Sequence, residues 1–206
     1  MQRKFAMDQG GWLVHNVEDV QSHGGVCHAM STNWVLGALQ NQAFNVQTEY
    51  WRGVSHQRAY ALRWDEALRG LWGGVNYGRY LAIAEPPSRD YVQSEATRLG
   101  YTFAHNHVGG INQLAAHITG LANDSGIVIV MFGVDPNEPA ASQNWGHTVA
   151  VRRSNAGVFR FLDVNDGQYV AGGGGAAQFA TDVYNALHGH YSGWGIRDVY
   201  IYRVDS

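Results

Sequence analysis

The sequence holds one cysteine, Cys27, at the end of the run Gln21-Ser22-His23-Gly24-Gly25-Val26-Cys27. Cys27, Met30, Ser31, Trp34, Val35 and Ala38 recur at helical spacing, so the thiol should open a helix. There it would meet the unpaired N–H groups of the first turn and the positive end of the helix dipole. Both favour the thiolate, which is the reactive form. Gly24-Gly25 would let the backbone come close to a substrate. The plain alternative is a small buried hydrophobe, because unpaired cysteine is among the most buried residue types. A lone cysteine excludes an intramolecular disulfide and any zinc site built on several thiolates.

A thiolate needs a base, and His147 opens the alternating run Thr148-Val149-Ala150-Val151. Asp163 closes a second run, Val158 to Leu162. Read singly, His147 is a surface histidine at a strand start and Asp163 is a turn aspartate before Asn165-Asp166-Gly167. The segment Arg153 to Gly157 between the two runs carries turn residues, which predicts a hairpin. With Arg153 opposite Gly157, His147 stands opposite Asp163 on one side of the sheet. The carboxylate would then accept the imidazole Nδ1–H and fix the ring's tautomer, and a slip of one residue would separate them. Cys27, His147 and Asp163 thus form a candidate nucleophile, general base and orienting acid. The Cys27 N–H and the side-chain amide of Gln21, upstream on the same approach, are candidate oxyanion donors.

Other constellations are weaker. His105-x-His107 and His188-x-His190 could reach a metal, but no carboxylate stands at useful sequence spacing. Cys27 and His28 point apart on a helix. Trp145 is a candidate shield over the His–Asp contact, or ordinary packing. No cofactor or metal is called for by these residues.

The elements that must position the three groups follow from periodicity. Helices are expected from Cys27, over about 57–72, over about 89–99 after Pro86-Pro87, over about 112–121 and over about 176–187. Strands are expected over 126–133, 147–153, 158–164 and 197–204, and 1–23 should be irregular. Helices before an antiparallel sheet indicate an α+β fold. The 206 residues suit a single domain spanning 1–206. Hydrophobic residues are 45% and charged residues 15%, which excludes a disordered or coiled-coil chain. Lys+Arg 14 against Asp+Glu 17 leaves no basic excess for nucleic acid. The apolar run Ile127 to Phe132 is too short to span a bilayer, and the first residues lack a Sec-type signal pattern. A chain that is cytoplasmic, or exported without a cleaved leader, is expected.

Gln21 with Gly24-Gly25-Val26-Cys27 resembles the papain-type order of oxyanion glutamine, glycine turn and helix-opening cysteine. Gly146-His147-Thr148-Val149-Ala150 and Phe159-Arg160-Phe161-Leu162-Asp163-Val164-Asn165-Asp166-Gly167 are similar to the YopT/AvrPphB group of bacterial effector cysteine proteases. Val164 stands where that group has proline, and His28 where the residue after the cysteine is commonly small or apolar. The resemblance covers a short stretch around Cys27 and a second one around His147 and Asp163. It implies a papain-like fold, with an N-terminal helical part that carries the nucleophile at a helix N-terminus packed on a C-terminal antiparallel sheet. It also implies thiol peptidase activity through Cys27, His147 and Asp163, a protein or peptide substrate, secretion as a virulence effector or toxin, and action inside a target cell. A cognate chaperone or immunity protein is a candidate partner. Amidases, glutamine deamidases and transglutaminase-like toxins share the acyl-enzyme chemistry, and a non-catalytic aromatic-rich binding module needs no thiolate.

Overall fold

The computed structural model describes residues 1–8, 27–46, 48, 51–52, 54–55, 76–139 and 143–206. In chain order its elements are β1 (Gln2–Ala6), α1 (Cys27–Leu39), α2 (Tyr77–Arg98), β2 (Thr102–His107), α3 (Leu114–Thr119), β3 (Ser125–Val134), β4 (Asn144–Arg153), β5 (Phe159–Asp163), β6 (Gly167–Val170), α4 (Gly175–Tyr191) and β7 (Ile196–Asp205). Short 3-10 turns at Ile111–Gln113 and Ser192–Trp194 lead into α3 and β7. The strands make one sheet in the order β1-β6-β5-β4-β3-β7-β2. Every adjacent pair is antiparallel. The helix expected over 57–72 and the residue Gln21 lie outside the described residues.

The sheet is covered on both faces. On one side Val128, Val130, Phe132, Ala150, Leu162 and Tyr202 pack with Met30, Trp34 and Val35 of α1 and Ala84 and Val92 of α2. On the other, Ile127, Ile129, Met131, Val149, Phe161 and Ile201 pack with Ile118 of α3 and Phe179, Val183 and Leu187 of α4. Burial on both faces is why β3 is a continuous apolar run rather than an alternating one. The α+β expectation therefore needs amending in its layering. Helices α1 and α2 do lie against one face of the sheet, but the opposite face carries helices too, and β1 joins the sheet from the start of the chain.

Helix α2 departs from the sequence reading. It begins at Tyr77, where the Asn76 side chain accepts the Arg79 N–H at 3.0 Å, and runs through Pro86 and Pro87. Two ladder bonds are lost where proline has no N–H. Buried Tyr80, Ala84, Ser88, Tyr91 and Val92 hold the helix to the sheet across that gap, and the Ser88 hydroxyl bonds the Ala84 carbonyl at 2.9 Å.

The β4–β5 register also differs from the expected one. Arg153 pairs with Phe159 and Ala150 with Leu162, so the next step sets Asp163 opposite Val149, not His147. The turn is wider: Ser154 N–H bonds the Val158 carbonyl at 3.0 Å, and Gly157, at φ +77, closes it through a 2.8 Å bond to Ser154. The shift is two residues, not one. His147 and Asp163 therefore keep the same face and become diagonal neighbours.

Candidate active site

Cys27 is the first residue of α1 and is 6% exposed. Its neighbour is His147 on β4, which is 4% exposed. Behind the ring stands Asp163, the last residue of β5, at 2% exposure. The His147 Nε2 lies 3.0 Å from Asp163 Oδ1. This is the opposite ring nitrogen from the one expected. With Nε2 turned to the carboxylate, Nδ1 is the ring nitrogen left for the sulfur, and Cys27 and His147 lie close enough for each to shift the other's titration. The structure thus brings Cys27, His147 and Asp163 into one buried row from three segments distant in sequence.

The electrostatics of the row are self-consistent. Burial pushes the Cys27 thiol up, but the charge of His147, the hydrogen bond to its ring and the backbone of Thr148 together bring it below its ordinary value. Burial works against a charged His147, yet Asp163 and Cys27 hold the imidazole well above its ordinary value. Burial would also raise Asp163, and His147, the Asn165 N–H and Tyr191 outweigh it and keep the carboxyl low. All three shifts run in the direction that favours thiolate, imidazolium and carboxylate.

Thr148 locks α1 to β4 beside this row. Its backbone bonds Cys27, its carbonyl accepts the Ser31 hydroxyl at 3.1 Å, and its own hydroxyl meets His28 Nδ1 at 3.2 Å. His28 Nε2 meets the Ser88 carbonyl of α2 at 3.0 Å. A carbonyl only accepts, so Nε2 carries the proton and Nδ1 accepts from Thr148. Burial pushes His28 down to about 4, so it is neutral at pH 7. Two buried histidines near one thiol are thus shifted in opposite directions, His28 down by burial and His147 up by its charged partners.

The remaining sequence candidates fall as follows. Trp145 stacks on Tyr191, with ring centroids 6.4 Å apart, and meets Trp194 edge-on at 5.6 Å. Tyr191 in turn lies 4.9 Å from the His147 ring, so Trp145 covers the site through Tyr191 rather than directly. His105 and His107 sit on β2, paired with Glu85 at 3.3 Å and Asp198 at 2.6 Å. His188 and His190 lie on α4 against Tyr184 and Tyr191. Among the described residues no group of three or more metal-ligating side chains converges. Tyr191 itself was not read from the sequence, because the expected α4 stopped at 187. Val183, Leu187 and Tyr191 continue one helical stripe, and that periodicity was the available signal.

No family model matches the chain, and no curated protein matches it in sequence. Among solved structures a likeness emerges. The fold is similar to that of the Pseudomonas avirulence protein AvrPphB. The TM-score to AvrPphB is 0.54 at 16% identity, over 92% of this chain and 95% of that one. At such identity AvrPphB shares the fold, and the residue roles must come from the geometry of this chain.

Proposed function

We propose that this chain is a cysteine endopeptidase effector, with Cys27 as nucleophile, His147 as acid and base, and Asp163 as the group that orients and charges the ring. The observation that carries this reading is the buried row of sulfur, imidazole and carboxylate, drawn from α1, β4 and β5, in which the thiol lies low and the imidazole high. The sequence resemblance to the YopT/AvrPphB proteases and the fold shared with an avirulence protein support the same reading, including delivery into a target cell.

The Cys27 thiolate attacks the carbonyl carbon of the scissile amide, and the carbonyl π electrons move onto oxygen. The Cys27 N–H at the start of α1 and the Gln21 amide are the proposed donors to that oxyanion. The His147 imidazolium gives its proton to the leaving nitrogen as the C–N bond breaks, which leaves a thioester and a neutral ring. A water then gives a proton to His147 and its oxygen attacks the thioester. The C–S bond breaks, the thiolate–imidazolium pair returns, and the product leaves as the carboxylic acid, which gives its remaining proton to solvent to become the carboxylate.

The test is N-terminal sequencing by mass spectrometry of target-cell lysate treated with wild type or Cys27→Ala. New protein N-termini in the wild-type sample alone are expected. Conversion of glutamine to glutamate without chain cleavage, or release of peptide from peptidoglycan, would move the chain to the deamidase or amidase class. None of these products would leave a non-catalytic module.

A further inference from the structure

The Tyr191 hydroxyl lies 2.7 Å from Asp163 Oδ2 and 3.0 Å from His147 Nε2. The Asn165 side-chain amide donates to the same hydroxyl oxygen at 3.2 Å. These contacts assign the hydrogens. A carboxylate only accepts, so the phenolic proton points at Asp163 Oδ2. The phenolic oxygen then has its lone pairs left for Asn165 and for the His147 Nε2–H, which it shares with Asp163 Oδ1. The Asn165 N–H also donates to Asp163 Oδ1, at 2.9 Å.

From this geometry we infer that Tyr191 is a positioning residue of the site: its hydroxyl dipole stabilises the Asp163 carboxylate at its positive end and the His147 imidazolium at its negative end. Both contacts favour the charged state of the row, so the effect reaches Cys27 through His147. Tyr191 is suited to the task because it stays protonated. Burial, and then the charge of Asp163, push its phenol far above the ordinary value. Among the described residues the titratable groups facing it are Cys27 from α1, His147 from β4, Asp163 from β5 and His190 on its own helix. The ring is held by α4 on one side and by Trp145 and Trp194 on the other, the latter edge-on at 5.3 Å. That packing holds the ring in place beside the contacts its hydroxyl makes with Asp163 and His147, which preorganises the hydroxyl.

The inference rests on the reading of Cys27 and His147 as the reacting pair, and the experiment separates the two. The rate of Cys27 alkylation by iodoacetamide is measured against pH in the wild type and in Tyr191→Phe, with urea unfolding of both as a check on folding. Phe keeps the ring and its stacking and removes only the hydroxyl. The wild type should show a midpoint well below that of an ordinary thiol. Tyr191→Phe should move that midpoint up by about one unit, as expected for loss of a hydrogen bond to charged groups. Tyr191→Met fills the same space with a flexible apolar chain and should shift the midpoint in the same direction, so it serves if Phe does not fold. A low wild-type midpoint that stays put or falls in the folded variants overturns the role of Tyr191. A wild-type midpoint like that of free cysteine overturns the proposed chemistry itself.

Discussion

Around the sulfur, His147 and Asp163 pull in different directions. His147 lowers the Cys27 pKa, whereas the charge of Asp163 acts on it directly to raise it. His147→Ala removes the largest opposition to burial and leaves only the Thr148 backbone against it, so the thiol should titrate higher than in the wild type, and alkylation at pH 6 should fall by at least about tenfold. Asp163→Ala removes a direct repulsion of the thiolate but also the main support of the imidazolium, so its loss should be smaller than that of His147→Ala. Alkylation rates of both variants at one pH provide the check, and equal losses would contradict the opposing-charge account. Sequence spacing made Cys27, His147 and Asp163 legible as a group. It did not reveal which ring nitrogen faces the carboxylate, because tautomer choice depends on where the ring sits in space.

At the scale of elements, α1 is held to α2 and β4 through His28, and that tie has a pH signature. The ring is buried and pushed down to about 4 from an ordinary 6.5. Between those values the unfolded chain takes up a proton that the folded chain does not, so stability falls as pH falls through that window. The loss is on the order of 3 kcal/mol and levels off below pH 4. His147, raised in the folded chain, works the other way, and only near and above pH 6.5, where the unfolded imidazole loses its proton. Urea unfolding of wild type and His28→Gln between pH 7 and pH 4 should show a steep fall in the first and a flatter one in the second. Equal slopes would mean that His28 does not carry the effect.

The same scale explains which elements escaped the sequence reading. Both edge strands, β1 and β2, carry mostly exposed residues and no apolar alternation, and their partners β6 and β7 give them their shape. The last turn of α4 was hidden by His188, Gly189 and His190, and it holds Tyr191. The continuation of α2 through two prolines is a tertiary override of a local rule, driven by burial of Tyr80 and Ala84.

On the scale of the molecule, the site depends on how closely α1 sits on the sheet. Gly126 of β3 lies under that helix, and a Cβ placed there would come within 2.6 Å of Val35 Cγ1 and 3.3 Å of the Val151 carbonyl. Gly126→Val should therefore lift α1 away from β3 and cost about 1–3 kcal/mol, as overpacked cores do. Cys27 is the first residue of the displaced helix, so alkylation at low pH should slow as well. A thermal melt and an alkylation rate on the same sample test both effects. Full stability together with wild-type reactivity would show that the helix has slack.

What the sequence determined alone was chemical kind and local form: a single thiol at a helix start, a histidine and an aspartate on one hairpin, and a buried central strand. These follow from residue type and short-range periodicity, which survive without knowledge of the rest of the chain. Only the tertiary structure decided the two-residue register that makes His147 and Asp163 diagonal neighbours, the helices on both faces of the sheet, and the arrival of Tyr191 beside the imidazole. Those depend on the width of one turn and on packing between segments more than 100 positions apart, such as Cys27 and Tyr191. Local sequence cannot encode such distances, because the energy that sets them is shared across the whole core.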